Sequence, residues 1–256
     1  MTAIPDPGAA GALPLPDLSG HSRIAVLTGA GISVASGLPT YWGKGGLWEK
    51  ADVGRYATAA AMAADPARVW SFFASLRAQV ARAAPNAAHL ALAELGRRLG
   101  PGRRLTVITQ NVDGLHSLAG SEGVLELHGT LQRSRCTACK FSREERPETA
   151  PVECPMCPEC GRPLRPDVVL FDEPLPVRAA AEARRAVQGC DLFLAVGTSG
   201  TVFPAAEFVA WASNRGARTM YVNAEPMTPA NPAFQDVCLG KAEVLLPELI
   251  KMLSPE

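Results

Sequence analysis

The chain has 256 residues, 47% hydrophobic and 20% charged, which is enough length and apolar content to bury a sizeable core and excludes a disordered protein. Its 25 basic and 25 acidic side chains cancel, leaving no global field for nucleic acid or an anionic membrane. No uninterrupted apolar run is long enough to span a bilayer.

Residues 1–20, MTAIPDPGAAGALPLPDLSG, lack a basic start and are broken by prolines, so they read as a flexible tail and not as an export signal. The cytoplasm is then the expected compartment, where clustered cysteines bind metal and do not form disulfides. Residues 24–27 are an apolar run of the kind a fully buried parallel strand shows. At Thr28-Gly29-Ala30-Gly31 the chain turns with little side-chain bulk, and residues 32–36 form a short helix stopped by Gly37 and Pro39. Strand, glycine turn and helix start present backbone N–H groups to a phosphate. Gly29 and Gly31 let backbone approach a pyrophosphate, and Ser33 adds a hydroxyl. The G-x-G-x-x-G fingerprint is incomplete, with Val34 where its third glycine belongs, so a plain strand-to-helix turn is the alternative. The continuation SGLPTYWGKGGLW has three aromatics and no core periodicity, as a loop closing over something flat would.

Asp65-Pro66 is a helix start, an N-cap followed by proline at the first helical position, and Val69, Phe72, Phe73, Leu76 and Val80 follow at helical spacing. A second helix covers residues 87–99 with Leu92, Leu95 and Leu99 inward; His89 on it is expected to be structural. Residues 105–109 are another buried strand, ending directly at Gln110-Asn111-Val112-Asp113. Residues 124–127 are a short strand ending at His128-Gly129. Residues 130–166 hold five cysteines, many prolines and no periodicity, the signature of an inserted module. Alternation then resumes: residues 168–171 extended, 177–187 helical, 191–196 a strand running into Gly197-Thr198-Ser199, 205–214 helical, 219–222 a strand ending at Asn223. Residues 237–239 are extended, and a helix over 242–253 is interrupted at Pro247. This alternation implies a doubly wound parallel sheet. Four strands end in small or polar clusters, and strand ends in an open α/β sheet line one crevice, as a cofactor site requires.

Cys136 and Cys139 form one C-x-x-C knuckle, and Cys154, Cys157 and Cys160 follow three apart. A zinc ribbon separates its knuckles by roughly 15–20 residues. Cys157 lies 17 intervening residues beyond Cys139 and Cys154 only 14, so Cys136, Cys139, Cys157 and Cys160 are the expected ligands and Cys154 is spare. Four thiolates close the metal's coordination, which makes such a site structural. A nucleic-acid-binding ribbon is the alternative, but Glu144, Glu145, Glu148, Glu153 and Glu159 offset the module's arginines. Cys190 and Cys238, beside buried strands, read as small core residues.

GAGISVASGLPTYWG, TQNVDGLH, ELHG, the paired knuckles, LRPDVV, VGTSGTVFPA and GKAEVLLPEL occur together in the order seen in the sirtuins, and the chain resembles that family from Ile24 to Leu253. Sirtuins are NAD-dependent protein-lysine deacylases. The resemblance implies an α/β fold with a doubly wound parallel Rossmann-type sheet (residues 21–45, 100–130 and 167–256), a small helical module with the cofactor loop (46–99) and an inserted zinc-ribbon module (131–166). It implies that Gly29, Ala30, Gly31 and Ser33 cradle the pyrophosphate of NAD. Gln110, Asn111 and Asp113 would hold the nicotinamide and its ribose, Asn111 and Asp113 by bonding the carboxamide. Gly197, Thr198, Ser199, Asn223 and Ala242 would bind the adenosine half. His128 matches the catalytic histidine and would take a proton from a ribose hydroxyl; His116 would bond to backbone. The implied partners are acylated lysine side chains, with no nucleic acid or membrane expected and the oligomeric state open.

Three positions depart from the family. Tyr41-Trp42, expected at the cofactor, replaces a Phe-Arg pair, and Phe171-Asp172-Glu173 replaces Phe-Gly-Glu in the substrate-pairing strand. Phe73 and Leu76 stand where desuccinylating members carry Tyr and Arg. With Val168, Val169 and Phe171 they are expected to line the substrate, so short neutral acyl groups are favoured, Arg77 being the nearest alternative partner for a carboxylate. The competing readings are an NAD glycohydrolase or mono-ADP-ribosyltransferase on the same fold, or a non-catalytic NAD-binding interaction module.

Overall fold

The computed structural model describes residues 2–4, 18–40, 46, 53–146, 151 and 153–253. Among these residues there are ten strands: β1 (Thr2–Ile4), β2 (Arg23–Thr28), β3 (Arg104–Thr109), β4 (Leu125–Glu126), β5 (Gly129–Cys136), β6 (Ser142–Glu144), β7 (Leu164–Val168), β8 (Leu192–Val196), β9 (Arg218–Asn223) and β10 (Asp236–Leu239). Seven of them form a parallel sheet in the order β1-β10-β9-β8-β2-β3-β4. Its strands read as unbroken apolar runs because both faces are covered. Ile24, Val26, Leu194 and Met220 face the helices Ala87–Arg98 and Ala242–Leu253. Their neighbours Ala25, Leu27, Phe193 and Tyr221 face the helices Val177–Gly189 and Phe208–Ser213. Successive side chains on a strand point to opposite faces, so each run feeds both layers.

The remaining strands, β6-β5-β7, form a small antiparallel sheet in the cysteine-rich segment. The helix Pro66–Val80 packs on it, started as expected by Asp65, whose carboxylate accepts the Arg68 N–H at 3.0 Å. Two of its side chains fasten it there. Trp70 is fully buried among Cys136, Cys157 and Leu164. Arg77, 1% exposed, donates from Nε to the Leu131 carbonyl and from Nη2 to the Ser134 hydroxyl, with its guanidinium 4.6 Å from the Trp70 ring centroid.

Three expectations need correction. The N-terminal segment is not wholly a tail: β1 extends the parallel sheet by pairing with β10, and Leu18 is fully buried in the core. The last helix runs through Pro247 without interruption, since Leu245, Leu246, Leu249 and Ile250 bury one continuous face that outweighs the missing N–H. The extended segment near residue 168 ends its ladder at Val168, and Phe171 forms a separate bridge with Thr58.

Candidate active site

β2 lies between β8 and β3, and the chain proceeds outward from it in both directions, so the sheet's topological switch falls at the C-terminal ends of β2 and β8. Ligands bind at such a switch point because the loops diverge there and leave a crevice. A cavity of about 780 Å³ occupies it, running from the glycine turn past Gln110, Asn111 and His128 to Phe73, Val168 and Val169.

The glycines make the turn possible by allowing two loops to touch. A Cβ on Gly29 would lie 2.7 Å from the Gly197 carbonyl oxygen, and one on Gly31 2.7 Å from the Gly197 Cα. Gly197 itself has φ 60, which a side chain would strain. The Gly29 N–H donates to Val196 (3.0 Å) and that of Gly31 to Gly197 (2.8 Å). These two N–H groups are therefore not presented bare, as the sequence suggested; the glycines supply a smooth, closely packed cradle. The turn continues into a 3-10 helix, Ala30–Ser36, closed by Gly37 in the left-handed conformation.

Beneath the cradle lies a buried polar layer. Asn111 Nδ2 donates to the Gly29 carbonyl and to Ser33 Oγ, both at 3.2 Å. Ser33 Oγ donates to Asp113 Oδ2 at 2.8 Å, and Asp113 Oδ1 accepts the Leu115 N–H at 2.9 Å. Burial raises the Asp113 pKa against these bonds. His89 Nδ1 accepts the Asn86 N–H in a capping box, which leaves the proton on Nε2, 3.5 Å from Ser33 Oγ. His116, whose ring centroid is 4.9 Å from that of His89, pairs through Nε2 with the Thr28 hydroxyl at 2.9 Å, a side chain and not the expected backbone group. Burial holds His89 at about 4 and, with the neighbouring His89, His116 at about 3, so both are neutral near pH 7. Ser33 and Asp113 thus stand behind the cavity wall, while Asn111 reaches it.

His128 is different. It follows β4 at the cavity, and its Nδ1 donates to the Gln110 carbonyl at 2.9 Å, so neutral His128 keeps its lone pair on Nε2. Burial lowers its pKa, and the bond to Gln110 opposes the shift. At the C-terminal ends of β8 and β9, Gln110 Nε2 donates to Thr198 Oγ1, Tyr221 Oη to the Thr198 carbonyl, and Asn223 Nδ2 to Tyr221 Oη. Ser199 and Ala242 also line the cavity.

At the other end Phe73, Val168, Val169 and Phe171 line the cavity. Leu76 does not: it is 8% exposed and packs with Phe73 inside the helical module. Arg77 is turned onto β5 and Trp70, so it offers no partner for a carboxylate in the cavity. Tyr41 and Trp42 lie outside the described residues. Phe72, Val112 and Phe203 also line the cavity; no local pattern separates them from core residues, and only the packing identifies them.

The sulfurs of Cys136, Cys139, Cys157 and Cys160 all lie within 4.8 Å of one another, with Cys136–Cys160 at 3.4 Å and Cys139–Cys157 at 3.6 Å. Tetrahedral zinc with bonds of about 2.3 Å spaces its sulfurs roughly 3.8 Å apart, so this donor set fits zinc. Cys154 stays outside the cluster, its Sγ 3.4 Å from the Leu164 carbonyl.

A switch-point crevice with a glycine cradle, joined to a four-thiolate module, defines a dinucleotide-binding α/β protein with a structural metal. The Sir2 family matches residues 29–204, and the chain belongs to that family. It is 43% identical over 247 residues to NAD-dependent protein deacylase 1 of Pseudomonas aeruginosa, covering 93% of this chain and 97% of that protein. It is 50% identical over 212 residues to the NAD-dependent protein deacylase of Thermus thermophilus, covering 82% of each. Among solved structures, a Sir2 homolog–NAD complex superposes with a TM-score of 0.83 at 39% identity, covering 93% of this chain and 91% of that one. Sir2Af2 bound to a myristoylated histone peptide gives 0.72 at 35% identity, covering 93% of each chain.

Proposed function

We propose that this chain is an NAD-dependent protein-lysine deacylase whose catalytic base is His128. The carrying observation is a single cavity that joins the glycine cradle, the Asn111 amide, the free Nε2 of His128 and an apolar tunnel wall. NAD, when bound, supplies an electrophilic ribose carbon with nicotinamide as its leaving group. Gly29, Ala30, Gly31 and Gly197 line the cavity with little side-chain bulk, which leaves room for the pyrophosphate to approach the backbone. Ala30, Thr198, Ser199, Asn223 and Ala242 flank the same channel.

Asn111 orients the carboxamide, and Ser33 and Asp113 act one layer back by holding Asn111 in place. Gln110 positions the nicotinamide side and, through its carbonyl, fixes the His128 tautomer. His128 Nε2 would accept the proton of a ribose hydroxyl, which would leave that oxygen able to take the acyl group from the lysine nitrogen. With one water consumed, the products would be free lysine, nicotinamide and O-acyl-ADP-ribose.

Phe73, Val112, Val168 and Leu170 make the acyl channel apolar. A neutral acyl group gains roughly 0.8 kcal/mol per buried methylene there, while a succinyl carboxylate is desolvated without a partner. Acetyl, propionyl and butyryl peptides are therefore expected to turn over faster than matched succinyl peptides, and faster succinyl turnover overturns this assignment. The function itself is tested by nicotinamide release: dependence on acyl-peptide supports deacylation, release without peptide identifies a glycohydrolase, and no release identifies a binding module.

A further inference from the structure

The turn at the cavity mouth carries a residue that its backbone disfavours. The Glu173 N–H donates to the Leu170 carbonyl at 3.0 Å, closing a four-residue turn in which Asp172 occupies the third position with φ 75. Such a position calls for glycine or asparagine, and Asp172 is the one non-glycine residue with positive φ among the described residues. The turn is held from both sides. The Phe171 N–H donates to Ala57 and the Phe171 carbonyl accepts from Ala59. Glu173 is spent on a two-pronged pair with Arg165 and on the Leu170 N–H. Asp172, exposed and lining the cavity, has no ion-pair partner among the described residues.

The cavity that Asp172 lines is acidic and apolar as a whole. Asp172, Glu173, Glu225 and Glu243 line the cavity against Lys241 as the only cation among the described residues. Phe171 and Phe203, 41% and 71% exposed, line it as well. A carboxylate in a cavity that also exposes phenylalanine rings complements a cationic side chain with an aliphatic stem, which packs on apolar surface and pairs with the charge.

We propose that Asp172 is a specificity-determining residue for the protein substrate: its carboxylate selects acyl-lysine segments that carry Lys or Arg beside the modified lysine and disfavours those with acidic neighbours. This rests on the deacylase reading. The test uses three acetyl-lysine peptides of one sequence with Arg, Ala or Glu flanking the acetyl-lysine, assayed for turnover and titrated by fluorescence anisotropy.

The wild-type protein is expected to prefer the Arg peptide over the Glu peptide by about two- to tenfold, as two opposed exposed charge interactions give, with the difference residing in KM. The ratio shrinks between about 50 mM and about 500 mM salt. Asp172→Asn keeps a residue suited to positive φ and Asp172→Gly relaxes the turn; both should bring the ratio near one. A purely structural role would lower turnover of the three peptides alike and leave the ratio unchanged, and that result overturns the proposal, as does a wild-type protein with no preference. Charge-selective binding without turnover would retire the deacylase reading and leave Asp172's role standing. Failure to bind any of the peptides would overturn both.

Discussion

The parallel sheet is covered on both faces by apolar clusters that draw on four helices, whereas the outer part of the three-stranded sheet rests on Trp70, Cys136, Cys157 and Leu164. A sheet with so little apolar cover cannot offset its chain entropy by burial alone. It is held by the four thiolates and by Asp167 of β7 pairing with Arg133 and Arg135 of β5, while Arg77 ties the helical module to β5 at Leu131 and Ser134. His128 sits on the seam between the two sheets, two residues after β4 and directly before β5. At Gly129, with φ 75, a Cβ would meet the Asp167 carbonyl oxygen at 2.0 Å, so the seam closes only around glycine. His128, the proposed base, is placed by two regions held together by different physics, and each can be perturbed separately.

Removing the metal should give the largest effect. Cys157→Ser, or chelation of the wild-type protein, should release one zinc per chain and melt the small sheet, because metal binding is coupled to folding of such modules. Metal analysis and thermal melts read it, and activity should vanish with the zinc. Cys154→Ser is the matched control and should keep both; loss of zinc there would show the wrong thiols were chosen.

At the seam, His128→Ala should cut deacylation by roughly 10²–10⁴-fold, about 3–5 kcal/mol in the barrier, with zinc content and melting unchanged. Near-normal deacylation would remove His128 as the base. The acid limb of kcat/KM for the wild-type protein should fall below the ordinary histidine value of 6.5, since burial lowers the His128 pKa and its neutral form is the active one.

The parallel sheet has its own pH signature. His89 and His116 are held at about 4 and about 3 in the folded protein, below their usual 6.5. The unfolded chain therefore takes up protons first as pH falls. Stability is full above pH 6.5 and declines below it, costing about 2 kcal/mol per histidine at pH 5. Denaturant midpoints between pH 7 and pH 5 measure this. His116→Ala should lower stability at pH 7 by about 1–3 kcal/mol through the lost bond to Thr28, flatten the pH slope, and change the rate per folded molecule less than His128→Ala does. A slope unchanged in His116→Ala would place the acid sensitivity elsewhere.

Much of the architecture was legible in the chain itself. The apolar runs at residues 24–27, 105–109 and 191–196 are local patterns, as is the Asp65-Pro66 helix start, and each forms as read because strand and helix periodicity is set by neighbours in sequence. The spacing that favoured Cys157 over Cys154 is equally local, since knuckle geometry depends on the number of intervening residues. The polar clusters after four strands likewise signalled a crevice before any fold was known.

Contacts between distant segments were decided by the tertiary structure. The chain shows Gly29 and Gly31 but not that Gly197 presses against both, which turns their N–H groups inward. It places Asp113 two residues from Asn111 without telling that one carboxylate is buried against Ser33 while the other side chain meets the cavity. Helical spacing puts Phe73 and Leu76 on one face, yet only packing against β5 and β7 sends Phe73 to the cavity wall and Leu76 into the module's core. The physical reason is common to all of them: periodicity determines which way a side chain points from its own element, while what it meets there depends on elements tens of residues away that are brought close only when the core is buried.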